Sequence, residues 1–228
     1  MKRINRTALI SWVILLAGLA GALVCLPSLP DQIPIHWNTA GEIDGWGSRA
    51  SAFWLPLAGL GCNLLFALLP KIDPRRENYS KFSGAYGAFR LIFSLFWTGM
   101  VLLTLYSAYA PGALEVGRLI PAAVGILFCV LGNYMPKFKP NYFVGIRTPW
   151  TLASENVWRR THRLGGLLWF FGGLLYFVIS LLIKPASAFP ITIVVLLVIA
   201  VLPCAASYFY WRQEQKGNSS DGSFSKMD

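Results

Sequence analysis

Hydrophobic runs of membrane-spanning length occur six times along the chain, at 7–26, 52–69, 88–109, 119–135, 165–183 and 190–211, separated by short polar gaps. A hydrocarbon core of about 30 Å requires roughly 17 to 25 apolar residues per helix, and all six runs fit. The pattern predicts an all-α integral membrane protein with six transmembrane helices. Two gaps are long enough to carry structure of their own. The first, 28–51, is rich in turn formers (Pro30, Pro34, Asn38, Gly41, Gly45 and Gly47) and predicts a compact, turn-rich cap. The second, 136–164, begins with prolines that exclude a regular helix. It continues with Ser154 as N-cap and Glu155 in a first turn, where an Arg159 partner is in reach, and predicts a short interfacial helix feeding the fifth span at Gly165-Gly166.

Charge turns the pattern into a topology. Of the 20 Lys and Arg residues, 17 fall in alternate segments: from the N-terminus to the tail the segments carry 3, 1, 5, 1, 6, 1 and 3. The excess marks the cytoplasmic side, so both termini and the 136–164 loop are expected inside and the 28–51 cap outside. This placement also absorbs the net charge of +10. The cations sit beside membrane segments rather than on a folded basic face, which argues against direct nucleic-acid binding and for contact with the lipid bilayer. A composition of 55% hydrophobic and 13% charged residues agrees. Lys2, Arg3 and Arg6 ahead of Ala20-Gly21-Ala22 resemble a secretory signal. The apolar run continues past that point, however, and predicts a retained helix.

Within the spans, Arg90 and Arg118 lie at edges where long side chains reach the interface, and Asn63 is the clearest polar group at depth, suited to a helix-to-helix hydrogen bond. Pro56, Pro121 and Pro203 are expected to kink three helices, and Ala17/Gly21 and Gly165/Gly172 to form packing faces. Cys25, Cys62, Cys129 and Cys204 lie singly in different spans and read as small hydrophobes.

Chemistry is sparse. There is no H-E-x-x-H, no G-x-S-x-G and no Gly-rich phosphate loop, and the two histidines belong to opposite sides of the membrane. No catalytic residue and no cofactor is assigned. His36, Asp31, Glu42 and Asp44 offer metal-ligating atoms, but only one nitrogen among them, and no metal site is assigned either. The cap instead combines His36 with Trp37 and Trp46 and an acidic face of Asp31, Glu42 and Asp44, complementary to a cationic or amphipathic peptide. On the inner loop Trp158 and His162 share a helix face, and Arg147 has the planar fork to bond backbone carbonyls or Glu155.

The stretch Pro34-Ile35-His36-Trp37-Asn38 with Gly41 and Asp44 resembles an N-terminal membrane module of unknown function. The inner loop carries Gly132-Asn133-Tyr134, Lys139-Pro140-Asn141-Tyr142-Phe143, Gly145-Ile146-Arg147-Thr148-Pro149-Trp150-Thr151-Leu152 and Val157-Trp158-Arg159-Arg160-Thr161-His162-Arg163. Together these resemble the SdpI family, bacterial membrane immunity proteins named for protection against a sporulation-delaying peptide toxin. The motifs divide the chain into a two-helix module at 1–70, a four-helix module at 71–211 and a polar, disordered tail at 212–228. The resemblance implies protection against an exported peptide toxin. In the namesake system it also implies signalling, in which the toxin-occupied protein holds a cytoplasmic transcriptional repressor at the membrane. It places the toxin-facing residues at His36, Trp37, Asn38, Gly41 and Asp44, and a cytoplasmic signature at Asn141, Gly145, Arg147, Thr148, Pro149, Trp150, Trp158, Thr161 and His162. A small-solute or lipid transporter is the other function class the spans allow. The scarcity of ionisable groups at depth and the lack of an internal repeat weigh against it.

Overall fold

A computed structural model describes residues 6–224, with side chains placed through 217; Lys2, Arg3 and Lys226 of the charge count lie outside the described residues. Among the described residues six helices are long and apolar enough to cross a membrane, which makes this a multi-pass membrane protein. They are α1 (Arg6–Cys25), α2 (Trp54–Ile72), α4 (Ser83–Tyr109), α5 (Val116–Tyr134), α7 (Glu155–Leu182) and α8 (Pro185–Phe224), with the short α3 (Asn78–Lys81) and α6 (Pro149–Ala153) between them. Packing groups the spans by threes. Helix α4 lies along α1 and against α2, while α5 lies along α7, and α7 along α8. The motif boundary after residue 70 is therefore not a packing boundary, because α4 lies beyond it and completes the N-terminal group.

Small residues decide the closest contact. Gly125 and Gly132 of α5 face Gly173 and Gly166 of α7, so that a Cβ on Gly125 would meet the Phe177 backbone at 2.7 Å and one on Gly173 the Gly125 carbonyl at 2.6 Å. In a bilayer, where burial supplies no driving force between helices, such close approach is what holds them together. The seam uses Gly166/Gly173 rather than the expected Gly165/Gly172. Gly165 instead meets Ile146 and Met135, Gly172 meets Ile199, and Gly21 has open space around it.

Proline chemistry is met by aromatic donors. Pro203 has no N–H for the carbonyl one turn earlier, that of Ile199, and the Trp169 indole of α7 donates to it at 3.1 Å. Pro70 frees the Phe66 carbonyl in the same way, and the Tyr86 hydroxyl of α4 donates there at 2.6 Å. Each pair turns a broken helix bond into a bond between helices. Asn63 makes the expected interhelical bond, but its partner is a surprise: Arg90, read from sequence as an edge residue, turns inward, is 7% exposed, and donates through Nε (3.1 Å) and Nη2 (2.9 Å) to Asn63 Oδ1. Arg118 does stay at a helix end, paired with Glu115 at 2.7 Å.

Three loop expectations change. The cap contains an antiparallel two-stranded sheet, β1 (Gln32–Trp37) with β2 (Ile43–Ser48), so the helical plan carries one β-hairpin. The helix that begins at Glu155 is not separate from the fifth span: α7, capped by Ser154 through the Val157 N–H, runs unbroken through Gly165-Gly166 to Leu182. Helix α8 continues past Gln213 to Phe224, into the segment whose polar composition predicts disorder. Arg160 fastens it there, donating to Gln213 Oε1 at 3.0 Å and lying 4.0 Å from the Tyr210 ring centroid.

Candidate functional site

The polar chemistry gathers at the two ends of the bundle. At one end stands the hairpin. Its base is closed by Arg49, which donates from Nη2 to Asp31 Oδ1 at 2.6 Å and from its backbone N–H to the Asp31 carbonyl. Ile33 points inward and is fully buried among Ala22, Leu29, Val101 and Leu105, which roots the strand pair in the α1/α4 group. At the tip, Asn38 Oδ1 accepts from the Ala40 and Glu42 N–H groups and its Nδ2 donates to Glu42 Oε2, an Asx-type turn. Gly41 follows at φ +85°, with its α-carbon so close to the backbone of Gly117 that a Cβ would lie 2.7 Å from the Gly117 Cα. Glycine is thus required on both sides of this contact, for conformation at Gly41 and for space at Gly117.

The sequence-predicted acidic face is divided by these bonds. Asp31 belongs to Arg49 and Glu42 to Asn38, while Asp44 Oδ1 lies 2.5 Å from His36 Nδ1. Among the described residues no three metal-ligating groups converge. The His36/Asp44 pair is open to the surroundings, with side-chain exposures of 68% and 43%. Trp37 faces inward and lines two cavities. One of about 480 Å³ lies towards Trp54, Met100 and Ile120, and one of about 260 Å³ lies towards Tyr176, Ser180 and Thr192. Trp46, on the other strand, is half exposed.

At the opposite end, the loop between α5 and α7 is folded around Asn141, which is fully buried. Its Oδ1 accepts from the Phe143 and Val144 N–H groups at 2.9 and 2.6 Å, and its Nδ2 donates to the Lys139 and Val144 carbonyls at 2.9 and 3.0 Å. A single side chain thereby supplies the hydrogen bonds of an irregular backbone that has no ladder of its own. Gly145 then turns at φ +106° against the His162 ring, leaving no room for a Cβ. The Ile146 N–H donates to His162 Nε2 at 3.0 Å, so Nε2 is an acceptor and the ring proton sits on Nδ1, facing the Trp158 carbonyl at 2.9 Å. Trp158 and His162 stack at 4.0 Å and 19°, and the Trp158 indole donates to the Phe138 carbonyl.

The Thr148-Pro149-Trp150-Thr151 run is a capping box: the Thr151 N–H donates to Thr148 Oγ1 at 3.2 Å, the Thr148 N–H donates to Thr151 Oγ1 at 2.9 Å, and Pro149 opens α6. Thr148 also reaches Ser207, and Trp150 packs on Tyr208, so α6 rests on α8. Thr161 is buried on the same face of α7 as Trp158. Arg147 is exposed and donates from Nη1 to the Tyr142 carbonyl at 2.7 Å, the carbonyl role rather than a pairing with Glu155. Arg159 likewise meets Asn156 at 3.4 Å, not Glu155.

Two residues outside the motifs complete this cluster. Asp73, after α2, is 2% exposed; its Oδ2 accepts from the Tyr142 N–H and the Tyr79 hydroxyl, both at 3.0 Å, and its Oδ1 from the Arg75 N–H. Burial and the Asp73 bond push the Tyr79 phenol well above its ordinary range, so it remains a donor. With Phe82, Tyr86 and Phe138, Tyr79 forms the aromatic cluster that ties the N-terminal group to the signature loop.

Residues 137–210, which hold the Asn141/His162 loop and the helices on which it rests, match the SdpI/YfhL protein family. Over these residues the chain is similar to that family. Residues 13–60, spanning the hairpin and parts of its two flanking helices, match a domain of unknown function (DUF1648). The SdpI-family likeness extends over most of the length: the immunity protein SdpI of Bacillus subtilis (strain 168) is 25% identical over 207 residues, 90% of this chain and 96% of the relative. No solved structure matches the chain.

Proposed function

We propose that this chain is an SdpI-family membrane immunity protein of a bacterial cytoplasmic membrane. In this reading it protects the cell against an exported peptide toxin through the hairpin end, and signals through the Asn141/His162 end to a cytoplasmic transcriptional repressor. The observation that carries the reading is the hairpin itself. It is fixed at base and tip, it presents His36 and Asp44 outward, and Trp37 borders an apolar cavity of about 480 Å³. An amphipathic peptide would find a polar edge and an apolar recess side by side there. The immunity relative supplies the function class.

The test is expression in bacteria sensitive to the sporulation-delaying peptide, scoring survival and membrane potential. Selective protection is expected, whereas solute flux without protection would replace this reading with a transporter. His36→Ala and Asp44→Ala should reduce protection at unchanged membrane abundance, by more than about 30-fold in toxin affinity if either is an interface hot spot. Equal loss of abundance would make the pair structural only. Arg147→Ala should retain protection and lose partner recruitment; a variant that recruits normally would remove Arg147 from the signalling face.

A further inference from the structure

Where α5 ends and α7 begins, a groove of about 670 Å³ opens on the outer face of the bundle. Its mouth carries Lys139, Arg159 and Arg163, its depth Leu167, Phe170 and Phe171, and its lining has no carboxylate. Four other cations at this end are engaged within the protein: Arg75 with the Leu152 carbonyl, Arg147 with that of Tyr142, Arg160 with Gln213, and Lys137 over the Tyr134 ring. Among the described residues the Lys139 and Arg163 side chains have no such partner, and Arg159 has only the 3.4 Å contact to Asn156. From Arg163 to Phe170 a helix rises about 10 Å, enough to pass from the headgroup layer into hydrocarbon. Phe171, 61% exposed, and Leu167, 54% exposed, lie on the same face towards the bilayer.

We propose that this groove is a binding site for an anionic phospholipid. The phosphate sits among Lys139, Arg159 and Arg163, and an acyl chain lies along Leu167, Phe170 and Phe171. Charge complementarity selects the occupant. Two cations without a protein partner and a third held only by one long contact, over an apolar trough, match a ligand with a phosphate at one end and hydrocarbon at the other. A soluble phosphate would leave the trough empty, and a zwitterionic lipid would bring its own cation against three others. The site is independent of the toxin reading and would hold for any function of the bundle.

The experiment uses the full-length protein in detergent, titrated with phosphatidylglycerol, phosphatidylcholine or sn-glycerol 3-phosphate and read by native mass spectrometry. Phosphatidylglycerol should bind in preference to phosphatidylcholine. At roughly fivefold per cation, the triple variant Lys139→Gln/Arg159→Gln/Arg163→Gln should lose about 100-fold in affinity for it. Removing three cations elsewhere at this end, as Lys71→Gln/Arg76→Gln/Lys81→Gln, should leave affinity within about twofold. Equal binding of the two lipids, equal loss in the two triple variants, or full competition by sn-glycerol 3-phosphate would each overturn the proposal.

Discussion

The Pro203 and Trp169 pair shows how much of this molecule turns on single donors. An unsatisfied carbonyl in hydrocarbon costs several kcal/mol, and the Trp169 indole removes that cost for Ile199. Trp169→Phe is therefore expected to destabilise the bundle by about 1–3 kcal/mol. Adding Pro203→Ala should recover most of the loss, because the new alanine N–H restores the helix bond. A double-mutant cycle in mixed micelles, followed by denaturant titration, measures the coupling, and additive losses would show that the indole does no such work. Asn141 is the polar counterpart. Asn141→Ala strands two backbone donors and two carbonyls, and Gly145→Ala forces a Cβ against His162. Each should cost about 2–4 kcal/mol and open residues 138–148 to proteolysis. Asn141, Gly145, Thr148 and His162 were singled out by the family resemblance, and in the structure they organise the irregular backbone of the loop. Asp73 and Tyr79 were not, because a carboxylate in a gap counted for its cations carries no local signal of burial. Arg90 misled for the reverse reason: proximity to a helix end does not say whether a long side chain points to water or to Asn63.

At the scale of elements, the six helices followed from the length of the apolar runs, because the bilayer thickness fixes that length. The β-hairpin did not, since Pro34 and three glycines in its range read as turns, and its strands are held by tertiary roots at Ile33 and Gly41 rather than by their own propensity. Helix-to-helix register was half legible. Small residues announced that α7 packs closely, but Gly165-Gly166 and Gly172-Gly173 are doublets, and composition cannot choose which member of each faces α5. The contrast is testable. Gly173→Val drives a side chain into the α5 backbone and should cost about 3 kcal/mol or more, while Gly21→Val, with open space around it, should change stability by less than about 0.5 kcal/mol. Reversal of that order in an unfolding titration would refute the packing described for α5 and α7.

For the whole molecule, the cation distribution predicts which end faces the cytoplasm. In a background with the four native cysteines replaced by serine, Ser48→Cys on the hairpin should react with an impermeant maleimide in intact cells. Ser80→Cys, at the signature end, should react only after permeabilisation. The opposite pattern would invert the sides assigned to toxin and partner. Either way, the two ends share one rigid part. Helix α4 touches the buried Ile33 cluster near its C-terminus and carries Tyr86 of the aromatic cluster near its start. Its 27 residues make a rod about 40 Å long. Acting as a lever pivoted at mid-membrane, such a rod needs a tilt of only about 3° to displace either tip by about 1 Å, a third of a hydrogen-bond length. A peptide wedged beneath the hairpin could thus disturb the Tyr79 and Asp73 contacts by leverage alone, with no helix sliding, unwinding or changing partners.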